Sequence, residues 1–313
     1  MNNQVKGYAC AAAAAVSYGL NPLCALFLYQ DGLTAGSVLF YRFAFAAALL
    51  ALLLLVQRKS FRVTAHEAAV LAVLGLLFAV SSITYFVSFH YIAAGVASTI
   101  VFMYPVMVAL IMALFFHERL TRPMLAAIVL TLGGIGLLYR GDGSGSLSPA
   151  GVGLALVSAL TYALYIIVVN RSRLVMSGVK LTFYALLVCL AGIALFALCS
   201  GEPLQPLPSA HAWFFALLLG LVPTVVSLVT MAVAIRCIGS TPTAVMGALE
   251  PVTALAVGTL VFSEPFGASQ AAGVGAILLA VTAVVAGRSL RRSPVVGRVL
   301  RAGRYVWKHW RWR

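Results

Sequence analysis

The sequence predicts an all-α integral membrane protein, with ten transmembrane helices arranged as two inverted-topology repeats of five and both termini in the cytoplasm. Three observations carry this expectation. Of 313 residues, 63% are hydrophobic and only 9% charged, against about 45–50% apolar and about 25% charged in an ordinary soluble domain. Uncharged stretches recur near the ~20-residue length that crosses the hydrocarbon core. The chain also matches itself weakly at an offset near 145 residues. Such a composition excludes a water-soluble enzyme, a disordered chain and a disulfide-stapled secreted domain. The five cysteines (Cys10, Cys24, Cys189, Cys199, Cys237) stand in or beside apolar runs without metal-ligand spacing. They read as small buried hydrophobes, and neither a metal nor a cofactor is expected.

In chain order the expected spans are 7–28, 35–56, 68–89, 94–116, 123–139, 150–170, 179–200, 212–235, 240–262 and 267–287. The first follows Lys6 and is Ala-rich, as a signal peptide would be. It is too long for one and has a repeat partner, so it is read as a retained helix. The 50-residue run 68–117 holds two spans joined by a tight turn near His90–Ala94. Spans two and nine each contain a single charge, Arg42 and Glu250. The expected units are a first repeat at 1–140, an external linker at 141–149, a second repeat at 150–287 and a basic cytoplasmic tail at 288–313.

The repeat rests on matched positions. At offset 144, Gly7, Ala11, Ala15 and Tyr18 meet Gly151, Ala155, Ala159 and Tyr162. At 143, Phe40 and Tyr41 meet Phe183 and Tyr184; at 146, Ile92, Pro105 and Glu118 meet Ile238, Pro251 and Glu264. Five spans per half is odd, so the second half enters the membrane inverted. Inverted repeats are a recurring plan of secondary transporters, with the substrate site near the midplane between the halves. Charge tests the count independently. With ten spans, nineteen of the 21 Lys and Arg fall on one side, Arg140 alone falls on the other, and Arg42 is intramembrane. The positive-inside rule then puts both termini in the cytoplasm, in a bacterial inner membrane.

Three segments carry a family resemblance: Tyr104-Pro105 through Phe116-His117-Glu118-Arg119-Leu120, Glu250-Pro251 through Phe262-Ser263-Glu264-Pro265, and Tyr41-Arg42-Phe43. They resemble motifs of the EamA family of the drug/metabolite transporter superfamily. The resemblance implies a ten-helix fold and a central cavity lined mainly by spans 1, 3, 4, 6, 8 and 9, with spans 5 and 10 paired at the periphery. It also implies export of amino acids or other small metabolites.

Glu250 is the only carboxylate deep in a span, a costly position that by default marks function. It reads as a protonatable coupling site or an anchor for a substrate amine. The alternative is a structural carboxyl at the Pro251 kink, a reading strengthened because the resembling family often has Glu there. Arg42 snorkels outward, pairs with Glu250 or meets a substrate carboxylate. Tyr18, Asn21, Tyr85, Tyr104, Tyr162, Tyr165 and Ser82 are the further cavity candidates. Pro22, Pro105, Pro223 and Pro251 are candidate kinks or hinges, because each proline removes a helix hydrogen bond. Glu118 and Glu264 read as interface anchors, and Gly133, Gly134, Gly136, Gly273 and Gly275 as close-packing positions.

The tail from Arg288 carries nine Lys and Arg together with Trp307, Trp310 and Trp312. It suits an amphipathic helix on anionic lipid, where each basic residue contributes about 1 kcal/mol. The basic excess therefore needs no nucleic-acid partner; the expected partners are a small-molecule solute, membrane lipids and protons. An intramembrane acyl- or phospho-transferase is the alternative from another class, but the five histidines are scattered and no paired acids appear. A passive channel is the third.

Overall fold

The computed structural model describes residues 3–116, 122–140, 148–172, 174, 176–201, 203–239, 243, 246–264 and 266–292, and every regular element among them is a helix. Helices α1 (Asn3–Gly19) and α2 (Asn21–Gln30) are two halves of one span. They are followed by α3 (Ala35–Val56) and α4 (Ala65–Ser88). Next come α5 (Ala94–Val101) and α6 (Tyr104–Phe116), again halves of one span, and α7 (Arg122–Arg140). The second half of the chain begins with α8 (Pro149–Arg171) and α9 (Gly178–Cys199). Helix α10 (Ala210–Gly220) runs through a π-helical stretch, Leu221–Val226, into α11 (Ser227–Ile238). Helices α12 (Leu249–Val261) and α13 (Ala268–Arg292) complete the described part. Among the described residues, seven helical segments are long and apolar enough to cross a membrane, and three shorter apolar stretches lie at Leu125–Leu137, Leu249–Val261 and Ala268–Ala283.

Helix starts follow local chemistry. Thr34, Ser177 and Ser209 each accept a backbone N–H three residues on, as N-caps do. Thr64 and Glu67 form a reciprocal capping box at the start of α4. The prolines explain the breaks, because each strips the carbonyl four residues earlier of its donor. Three of these carbonyls are re-satisfied by the proline's own neighbour. The Asn21 side chain donates to Tyr18 O at 2.7 Å, repairing the loss at Pro22. Thr224 donates to Leu219 O at 3.2 Å beside Pro223. The Glu250 N–H donates to Gly247 O at 2.9 Å beside Pro251, so that carbonyl is not left open. Such local repair is what lets a broken helix persist in an apolar medium.

The halves meet in exchanged pairs of contacts, as a pseudo-twofold arrangement requires. Ser81 Oγ donates to Ser158 O on α8 at 3.0 Å, and its repeat equivalent Ser227 donates to Ala14 O on α1, also at 3.0 Å. Ala14 is itself the equivalent of Ser158. The Tyr41 hydroxyl donates to Gln205 O at 3.1 Å, and its equivalent Tyr184 donates to Phe61 O. Gly75 and Gly220 admit close helix crossings: a Cβ there would lie 2.8 Å from Ala185 O and 3.0 Å from Arg42 O, respectively. Ala185 and Arg42 are again equivalents.

Helices α7 and α13 pack on each other, with a Cβ at Gly134 reaching 2.8 Å from Gly273 O. Gly133, Gly136 and Gly275 have no neighbour within 4 Å of a built Cβ, so the close-packing expectation fails for them. Cys24 and Cys189 are buried as expected, whereas Cys199 is exposed at the end of α9. Large apolar side chains cover the outside, with Leu260 at 83% exposure and Leu198, Val56 and Phe115 similarly open. A surface of that kind is at home in hydrocarbon, not in water. The expectations for Glu118, for the linker at 141–147 and for the tail from 293 onward lie outside the described residues.

Candidate functional site

Between the two halves lies a cavity of about 210 Å³, small beside the ~300–1,000 Å³ of pockets for drug-sized ligands. Its walls come from both repeats in equivalent places: Tyr18 with Tyr162, Tyr104 with Glu250, and Arg42 with Ala185. Tyr85, Tyr165, Ser82, Pro223 and Pro251 also border it. Asn21, Pro22 and Pro105 do not. Asn21 is fully buried at the α1–α2 break, and its Oδ1 has no hydrogen-bond partner among the described residues.

Tyr104 and Glu250 open α6 and α12, each just after an interruption of its span. This position places each side chain at the N-terminal end of a half-helix, where the backbone N–H groups favour negative charge. Among the described residues the Glu250 carboxyl has no hydrogen-bond or ion-pair partner.

Arg42 is 2% exposed, so it does not snorkel. Its Nε donates to Thr224 Oγ1 at 3.1 Å. The guanidinium carbon lies 4.9 Å from the Phe43 ring centroid and 5.4 Å from that of Phe86, within cation–π range. The Tyr18 phenol sits beside it. No described carboxylate lies within 4.0 Å of Arg42, Glu250 included. The lining residue Thr224 owes its place to Pro223: the π-helical stretch turns its hydroxyl so that the proton goes to Leu219 O and a lone pair faces Arg42.

Spans two and seven contribute Arg42 and Thr182, Ala185 and Leu186, a departure from the lining that the resemblance implied. Phe78 and Ser158 are further wall residues that polarity and size did not single out. The repeat offset carries the missing signal for Ala185, as the counterpart of Arg42.

One end of the bundle is closed. Asp31 Oδ2 and His211 Nδ1 pair at 2.8 Å, and Phe27 stacks on Phe215 at 4.6 Å and against Phe262 at 5.1 Å. Tyr29 stacks on His90 at 4.6 Å and donates to Phe86 O at 3.0 Å. Gln205 is strapped onto the start of α3 through Thr34 N, Ser37 Oγ and the Tyr41 hydroxyl. Toward the other end, a groove between α3, α9 and α11 shares Leu228 with the cavity.

The sequence model of the EamA-like transporter family matches residues 5–140 and again 149–286. No curated protein matches the chain. Chains of known structure do. One of them, described only as a crystal structure of a protein, aligns with a TM-score of 0.61 and 20% identity over 93% of this chain and 98% of its own. That likeness shows the fold. Two successive matches to one family, together spanning nearly all of the chain, make this protein a member of the EamA-like transporter family, a multi-pass membrane transporter of the drug/metabolite transporter superfamily.

Proposed function

We propose that the protein is a secondary-active exporter of amino acids or other small metabolites, working by alternating access through the cavity between the repeats. The observation that carries the reading is the cavity wall itself, drawn from equivalent residues of both halves. Such a site stays in place while the halves rock around it. Ten spans in two inverted sets of five, with N- and C-termini in the cytoplasm of a bacterial inner membrane, give nineteen of 21 basic residues a cytoplasmic address. In that orientation the end sealed by Phe27, Phe215, Phe262 and the Asp31–His211 pair is external, and the conformation is inward-facing. Glu250, a carboxyl on the cavity wall without a partner among the described residues, serves as the coupling site, exchanging a proton or a substrate amine. Tyr18, Tyr85, Tyr104, Tyr162, Tyr165 and Ser82 shape the solute's place, and Pro223 and Pro251 are the hinges nearest to it.

The test is uptake and counterflow of a panel of amino acids and small metabolites in proteoliposomes, with and without a pH gradient. Saturable counterflow, accelerated by the gradient in the wild type and insensitive to it in Glu250→Gln, is the expected result. Gradient dependence that survives in Glu250→Gln removes the coupling role. Flux without saturation or counterflow replaces the carrier with a channel.

A further inference from the structure

We propose that Arg42 and Thr224 form an anion subsite in the cavity wall that selects solutes carrying a single carboxylate. The proposal rests on reading the cavity as the solute's path. Arg42 is 2% exposed yet borders the cavity. A guanidinium taken this far out of water is ordinarily held by a carboxylate, and none of the described carboxylates lies within 4.0 Å of it. Instead it is immobilised from behind. Nε is committed to Thr224 Oγ1 at 3.1 Å, and the rings of Phe43 and Phe86 flank the guanidinium.

With Nε tied back, the two terminal NH2 groups, which have the Tyr18 phenol as a neighbour, present the planar fork that binds a carboxylate with two parallel hydrogen bonds. Thr224 is the positioning residue. Its own proton goes to Leu219 O, the carbonyl that Pro223 deprives of a helix donor. The hydroxyl therefore faces Arg42 only as an acceptor. Among the described residues lining the cavity, Arg42 is also the only Lys or Arg. One guanidinium matches one carboxylate, and the Glu250 carboxyl on the same wall opposes the second negative charge of a phosphate dianion. The aromatic walls of Phe78, Phe102 and Tyr85 suit an apolar body behind the carboxylate.

Isothermal titration calorimetry on the purified full-length protein tests this with phenylacetate, its neutral isostere phenylacetamide, and phenethylamine. We expect phenylacetate to bind at least about tenfold more tightly than phenylacetamide, the margin typical of a hydrogen bond to a charged group, and phenethylamine, which the Glu250 carboxyl can hold, to bind independently of Thr224. Thr224→Val should bring the acid-to-amide ratio below about threefold, chiefly by weakening the acid. Thr224→Ser, which keeps the hydroxyl, should restore the ratio. A purely structural role for Thr224 would weaken all three ligands together. Equal affinities for acid and amide in the wild type, or no binding of either, overturn the subsite. So does a full acid preference in Thr224→Val. A clear acid preference in a protein that moves no solute in proteoliposomes defeats the transport reading and leaves the subsite standing. Carrier transport confined to neutral and cationic solutes does the reverse.

Discussion

Gly75 and Gly220 sit where helices from opposite repeats cross with backbone almost against backbone. A methyl group at Gly75 would meet Ala185 O at 2.8 Å, and one at Gly220 would meet Arg42 O at 3.0 Å. A backbone carbonyl cannot rotate aside as a side chain can, so the helices themselves must part. Gly75→Ala and Gly220→Ala should each destabilise the protein by about 1–3 kcal/mol, the usual cost of overpacking. Gly133→Ala is the control, because nothing lies within 4 Å of its added carbon. Alanine's helix preference should make that change neutral or stabilising by about 0.5–1 kcal/mol. Thermal unfolding in detergent, followed by circular dichroism, gives the order; equal melting temperatures for all three would refute the crossing argument. Sequence alone could not single out Gly75 and Gly220. In a chain with 27 glycines a Gly–Gly match carries little weight, and only the contacts mark these two as equivalents. Glu250 was legible, because a lone carboxylate in an apolar span is costly wherever it points. Thr224 was not, because a threonine in such a helix ordinarily bonds its own backbone, and here it also serves an arginine 182 residues away.

At the scale of elements, the interruptions matter most. All four transmembrane prolines were visible as helix breakers, and the structure adds that a neighbouring side chain or N–H repairs the break at Pro22, Pro223 and Pro251. The π-helical form of the break at Leu221–Val226 left no mark in the sequence beyond Pro223 itself. The start of α5 illustrates a cap supplied from elsewhere. Its N-cap residue is Ala93, which offers no side-chain acceptor. Glu264, beyond the end of α12, reaches across instead, and its Oε1 accepts the Ala94 N–H at 2.9 Å. The anchoring role expected of Glu264 thus takes the form of a helix cap that ties the two repeats together. Glu264→Ala should cost about 0.5–2 kcal/mol, as loss of a cap does. Glu264→Gln keeps an acceptor oxygen and should retain most of the stability. If the two variants melt together, the carboxyl does not act as a cap.

For the whole molecule, membrane residence, most helix boundaries to within a few residues and the internal repeat were legible, because apolar length and charge placement are written directly into the chain; the ninth span, expected from 240, is described as a helix only from Leu249. Which face of each helix turns toward the cavity was not, since helices apolar on every side give little rotational signal. That choice is made by small-residue crossings and by hydroxyl-to-carbonyl bonds such as Ser81–Ser158 and Ser227–Ala14, which recur in exchanged form across the halves. Under the proposed alternating access, two equivalent halves in opposite orientations have two natural conformations, in which the halves trade roles. In the one described, Asp31 and His211 close one end together with Phe27, Phe215 and Phe262, and Tyr184 and Lys180 hold the loop carrying Phe61 and Arg62 at the other. The proposed mechanism requires α2 and α10 to separate for solute release on this side, because Asp31 follows α2 and His211 lies in the first turn of α10. Cysteines at these two positions, introduced in a background lacking the native five, should therefore join through a short bifunctional thiol reagent. Counterflow in proteoliposomes should fall to background in proportion to the cross-linked fraction, and a cleavable linker should restore it on reduction. Binding from the open side should persist in the cross-linked protein, since the cavity walls are untouched. Undiminished counterflow in fully cross-linked protein would mean that solute crosses without parting these helices, and alternating access at this end would have to be abandoned.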